Sequence, residues 1–163
     1  MNFPLSDVQL KNLFYKQNID INIVERDEIE YKDILNIKYK PLIILYETEE
    51  NLGHWIIIYY NKRYINFFDS YGIKTDNQLK YTFYDTNKIT NLKNMLKNIY
   101  KNKIRYNKFQ YQNYNTSTCG YHVFLRFMLR DLSEKKYYDF IFNISKLLNR
   151  DMDETIYILS LYL

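Results

Sequence analysis

The sequence contains no alanine, three glycines, two prolines and one cysteine. A single cysteine excludes an intrachain disulfide and any cysteine-rich structural zinc site, and two histidines argue against a histidine-based metal centre. No metal and no cofactor is therefore expected. The longest apolar runs, Leu42 to Tyr46 and Trp55 to Tyr60, fall far short of the roughly 20 residues that cross a membrane, so no membrane partner is expected either. The opening Met1 to Asp7 carries no basic start followed by an apolar block, and no signal peptide is expected. No linker, repeat or low-complexity block divides the chain, which reads as one domain over residues 1–163. A domain of this size buries roughly 70% of its unfolded surface and needs no staples.

What is present is globular in balance, 47% apolar and 26% charged. Aromatic residues reach 18%, with 19 tyrosines and 10 phenylalanines. Surplus asparagine, lysine, isoleucine and tyrosine beside absent alanine points to an AT-rich genome and carries no chemistry. The net charge of +4 is mild, and its lysines and arginines are scattered. It is compatible with weak attraction to polyanions but does not point to nucleic-acid recognition.

Local signals divide the chain. Ser6 and Gln9 have capping-box spacing, and Val8, Leu10, Leu13 and Phe14 predict a helix ending near Gln17. Residues 19–40 read as a loop or irregular strand with a short helix. Pro41 to Tyr46 is a buried strand, and His54 to Tyr60 with Arg63 to Asp69 read as a hairpin turning at Asn61-Lys62. Asn91 to Tyr100 has helical spacing and Lys103 to Tyr111 reads as a strand. The polar stretch Asn113 to Thr118 switches abruptly to Cys119-Gly120 and an apolar helix reaching about Leu132. Two more helices are predicted, Lys136 to Leu148 and Glu154 to Leu161. Strands flanked by helices in this order define an α+β fold with a small mixed sheet.

A two-residue turn at 61 and 62 would set Tyr60 opposite Arg63, Ile58 opposite Ile65, Ile56 opposite Phe67 and His54 opposite Asp69. Directly opposed side chains lie about 5 Å apart on one face, so an imidazole would sit beside a carboxylate that fixes its tautomer and stabilises its protonated form. A three-residue loop would shift the register by one and put the two on opposite faces.

Cys119 falls where the polar stretch meets the apolar helix, in a first turn whose unpaired N–H groups and dipole favour a thiolate. Gly120 beside it has no side chain and would let a substrate backbone approach. His122, one turn on, has no carboxylate in its own helix turn and is assigned to packing. A developing oxyanion needs donors: the backbone N–H of Cys119 is one candidate, and of Gln110 and Gln112 the second lies nearer the cysteine.

These residues resemble the adenovirus-type and ubiquitin-like-protein-specific cysteine proteases. The pattern appears as Gly53-His54-Trp55, then Phe67-Phe68-Asp69-Ser70-Tyr71-Gly72, then Gln112, then Thr118-Cys119-Gly120. The resemblance implies an adenain-like, papain-like fold with Cys119 as nucleophile, His54 as general base, Asp69 as orienting acid and Gln112 as oxyanion donor. Trp55 would border a narrow groove admitting small residues, usually glycine, before the scissile bond. The step from Gln112 to Cys119, and Leu5 to Leu13 as an opening helix, look like the viral branch. The implied activity is cleavage of a viral capsid or other structural precursor, such as that of a virophage or large DNA virus, in the host cytoplasm or viral factory with packaging in the virion. Alternatives are removal of ubiquitin-like modifiers, acyl transfer, or a catalytically silent binding module on the same fold. Adenoviral enzymes are boosted by DNA and by a peptide held through a second cysteine. This chain has no second cysteine, so no disulfide-linked activator is expected, and DNA stimulation is compatible with its charge but unsupported.

Overall fold

The computed structural model describes residues 3–50 and 52–163; the first two positions of the stretch read for a signal peptide lie outside the described residues. The chain opens with helix α1 (Asp7–Lys16), whose N-terminus is closed by the expected capping box: Gln9 N donates to Ser6 Oγ, and Ser6 N donates to Gln9 Oε1. Residues 19–40 hold a short strand β1 (Asn22–Glu25), 3-10 turns at Arg26–Glu28 and Asn36–Lys38, and helix α2 (Tyr31–Leu35). Strands β2 (Leu42–Glu49), β3 (Leu52–Asn61) and β4 (Tyr64–Phe68) follow, then a 3-10 turn at Asn77–Tyr81, helix α3 (Leu92–Tyr100) and strand β5 (Ile104–Tyr106). Helices α4 (Cys119–Met128), α5 (Glu134–Leu148) and α6 (Met152–Leu161) complete the chain.

Among the described residues the strands form one mixed sheet in sequence order. β2, β3 and β4 are antiparallel, and β1 and β5 add in parallel at the two edges. The central strands are apolar on both sides because both faces are covered. Ile43, Trp55, Ile57, Tyr59 and Phe68 pack against α1, α4, α5 and α6. Ile44, Ile56, Ile58, Ile65 and Phe67 pack against α2 and α3. Strand periodicity thus sorts one apolar run into two cores, and the fold is α+β as expected.

Two details differ from the sequence reading. The segment after β5 leaves the sheet at Asn107, so the strand expected to Tyr111 is only three residues long. The hairpin turns at Lys62 and Arg63, which take positive φ of 48° and 78°, and pairs Ile58 with Phe67 and Tyr60 with Ile65. The partners expected for a turn at 61 and 62 are therefore displaced by two residues. Because the side-chain period of a strand is two, that displacement keeps every residue on its expected face, where a shift of one would have inverted them all. Asn61 contributes to the choice: it pairs with Tyr64 at the end of the ladder, and its Nδ2 donates to Arg130 O at 2.7 Å.

Neither residue of the turn is a glycine or asparagine, the types that accept left-handed backbone at least cost. Replacing Lys62-Arg63 by Asn-Gly should stabilise the protein by about 1 kcal/mol, read as a higher denaturant midpoint at unchanged slope. An unchanged or lower midpoint would contradict this account of the turn.

Candidate active site

The β3–β4 ladder ends at Ile57 and Phe68, so β4 has already departed beside Gly53 and His54, the second and third residues of β3. Gly53 is required there, since a Cβ would lie 2.6 Å from both Leu45 Cδ1 and the carbonyl oxygen of Tyr46 on β2. His54 is fixed on its other side by the chain that leaves β4. Its Nε2 lies 2.8 Å from Asp69 Oδ1, and Tyr71 stacks on the imidazole with centroids 4.5 Å apart. His54 and Asp69 thus meet diagonally rather than as the directly opposed pair expected, and they share a face because the register moved by two.

Asp69 has no exposed surface. Its Oδ1 also accepts from Tyr71 N at 2.7 Å, and its Oδ2 accepts from Gln78 Nε2 at 2.7 Å. Asn107 clamps the backbone of the same residue, accepting from Asp69 N at 3.0 Å and donating to Asp69 O at 2.7 Å. Burial pulls the imidazole of His54 down, but the charge and hydrogen bond of Asp69, then Cys119, outweigh it and push its pKa up to about 10. Cys119 is among the groups that raise it, which sets the thiol close to the same ring. Since Nε2 is held by Asp69, Nδ1 is the nitrogen that remains for the sulfur.

Cys119 opens α4 as expected and is 6% exposed. It lines a cavity of about 750 Å3 together with His54, Trp55, Gln112, Tyr71 and Leu5. Gln112 is buried between two partners: its Oε1 accepts from Ser70 Oγ at 2.6 Å, and its Nε2 donates to Thr116 O at 2.9 Å. One N–H of that amide remains. Gln110 is exposed, lines a different cavity, and donates to Gln112 O at 2.8 Å. The two glutamines part because this segment is not a strand.

Gly120 corrects an expectation. The space its missing side chain leaves is occupied by the N-terminal segment, with Leu5 Cδ1 2.9 Å and Leu5 Cβ 3.1 Å from where a Cβ would stand. Trp55 anchors the same segment, its Nε1 donating to Leu5 O at 2.9 Å. Gly120 therefore seats a wall of the cavity rather than admitting a ligand backbone.

His122 is fully buried but does more than pack. Its Nε2 lies 2.8 Å from Asp153 Oδ1, which also accepts from Thr118 Oγ1 at 2.5 Å, while Asp153 Oδ2 accepts from Asn113 N at 2.9 Å. The partner carboxylate comes from α6, out of reach of any argument confined to one helix turn. Burial, ahead of the opposing pull of Asp153, lowers the pKa of His122; burial tends to raise that of Asp153, but His122, Thr118 and Asn113 together bring it below the usual carboxylate range. Gln78, Asn107 and Asp153 are the supporting residues that sequence reasoning missed, and no spacing signal links them to the site. Among the described residues no group of three His, Cys, Asp or Glu side chains is arranged to hold a metal, and no helix is long and apolar enough to cross a membrane.

Fold and site together define a mixed α+β protein in which a thiol and an imidazole line one cavity and a buried carboxylate holds the imidazole from behind. The chain is 34% identical over 128 residues to the uncharacterized protein V9 of Sputnik virophage, across 72% of this chain and 71% of that protein, and belongs to the same family. No family model and no solved structure matches it.

The raised pKa of His54 has a sign that can be measured. The folded protein holds a proton that the unfolded chain releases near the ordinary value of 6.5, so this contribution to stability is full below that pH and is lost as pH rises toward about 10. Asp69→Asn should remove it. The His54 Hε1 resonance should then titrate at or below pH 6.5, and melting temperature should fall less between pH 7 and 9 than in the unaltered protein. A titration midpoint unmoved by the substitution would refute the assignment of Asp69 as the cause.

Proposed function

We propose that this protein is a cysteine endopeptidase with an adenain-like fold that cleaves a viral structural precursor, such as a capsid protein, after a small residue during virion maturation. The observation that carries the reading is the geometry of the three groups: Asp69 Oδ1 lies 2.8 Å from His54 Nε2, and Cys119 lines the same cavity as that ring and helps to raise its pKa. A virophage relative agrees with a viral setting. The order His54, Asp69, Gln112, Cys119 agrees with the resemblance read in the sequence.

In this reading Cys119 attacks the scissile carbonyl as a thiolate, and His54, braced by Asp69, gives its proton to the leaving amine. The free N–H of Gln112 and the backbone N–H of Cys119 receive the developing negative charge. Ser70 and Thr116 hold the Gln112 amide in one orientation, so the donor does not have to be ordered during the reaction. Water then releases the acyl-enzyme. Trp55, tied to Leu5 O, forms the ceiling of the groove for the small residue.

Co-expression of Cys119→Ala with the capsid precursor should leave the precursor intact at unchanged melting temperature, as followed by mass spectrometry; continued processing would remove the nucleophile assignment. Gln112→Ala should lower kcat by about 100-fold or more, whereas Gln110→Ala, on the other cavity, should change it less than about threefold. The reverse order of the two effects would transfer the oxyanion assignment to Gln110.

A further inference from the structure

Phe3 to Ser6 have no regular structure of their own, yet they are held by three separate elements. Phe3 stacks on Tyr157 of α6 with centroids 5.0 Å apart, and Tyr157 in turn meets Tyr121 of α4 edge-on at 5.1 Å. Leu5 O accepts from Trp55 Nε1 of β3 at 2.9 Å, and Ser6 caps α1. The segment is a strap, anchored on both sides of Leu5.

Between those anchors the side chain of Leu5 enters the hollow that Gly120 leaves. Its Cδ1, Cβ and Cγ stand 2.9, 3.1 and 3.3 Å from where a Cβ of Gly120 would be, so Leu5 rests on helix backbone one residue from the thiol. Leu5 and Cys119 line the same cavity. A branched apolar side chain held through its own backbone cannot withdraw from an incoming group without loss of the Trp55 or Phe3 contact. A wall of that kind discriminates by size, because a group that does not fit must displace packed atoms.

We infer that Leu5 is a specificity-determining residue: it sets how large a group can stand on or next to the atom that the Cys119 thiol attacks. In the proposed endopeptidase, on which this reading of the substrate rests, that group is the side chain of the residue whose carbonyl is attacked. Leu5 then restricts that residue to glycine or alanine, and Gly120 contributes by letting Leu5 approach the helix so closely. The steric limit holds for any electrophile that reaches the sulfur, so it is measurable without peptidase activity.

Cys119 is the one thiol of the chain, so its alkylation can be followed by the mass of the intact protein. The probes are iodoacetamide and the branched 2-iodopropanamide, each rate divided by that of N-acetylcysteine amide at the same pH. The normalised branched-to-unbranched ratio should be about tenfold below one in the unaltered protein and should rise about fivefold or more in Leu5→Ala. Phe3→Ala, at a position 47% exposed, releases the outer anchor and should move the ratio the same way. Leu5→Met, which keeps the volume, should leave it within about twofold. A ratio near one in the unaltered protein, or one unmoved in both Leu5→Ala and Phe3→Ala, overturns the role of Leu5. A capsid precursor with valine placed before its cut site tests the substrate. Cleavage by Leu5→Ala but not by the unaltered protein supports the inference, and equal cleavage by both overturns it. Relief of the alkylation limit with no cleavage of any precursor would retain the steric wall and remove the endopeptidase.

Discussion

A carboxylate stripped of all contact with water must have its charge met from within, and Asp69 is surrounded on that principle. Tyr71 N and Gln78 Nε2 donate to its two oxygens, His54 faces one of them, and Asn107 holds its backbone from both sides. These contacts draw together the ends of β3 and β4, the 3-10 turn at Asn77–Tyr81 and the strand exit after β5. The turn Asp69 to Gly72, closed by Gly72 N to Asp69 O at 2.8 Å with Gly72 at φ 76°, returns Tyr71 over the imidazole. Removing the carboxylate would therefore leave an amide and a backbone N–H unmet as well as an imidazole unoriented.

Asp153 is a second buried acid met from within, and its contacts gather the start of α4. It binds the cap residue of α4 through Thr118, the second turn of the same helix through His122, and the polar loop through Asn113. The two buried acids come from different parts of the chain, Asp69 from the exit of β4 and Asp153 from the first turn of α6. One acid faces the His54 ring, and the other fixes the backbone from which the thiol projects. His54 and His122 respond oppositely to similar burial because the influences on them are balanced differently. Asp69 and Cys119 outweigh desolvation at His54, while desolvation outweighs Asp153 at His122.

Much of this was legible without coordinates because it rests on local chemistry. The capping box at Ser6 and Gln9, the switch from polar loop to apolar helix at Thr118 and Cys119, and the doubly apolar run of β3 are encoded by residues within a few positions of one another. The hairpin was legible in part. Its strands and faces follow from period-two apolar patterning, but its turn does not, since Asn61-Lys62 and Lys62-Arg63 are equally poor candidates by composition and the choice involves Asn61 reaching Arg130. Gly120 was misread for a related reason. A glycine beside a cysteine records that something approaches closely, but not what, and here it is Leu5 of the same chain.

By itself the amino-acid order determined the secondary elements, their buried faces and the set of reactive side chains, because helix caps and apolar periods act over one or two turns. Only the folded chain decided which carboxylate each histidine meets, where Gln112 is clamped, and that Tyr46, Tyr71, Tyr81 and Tyr114 from separate segments line one small cavity. Those juxtapositions join residues tens of positions apart. They are selected by the packing of both cores against a sheet whose β3–β4 ladder stops short at Ile57 and Phe68.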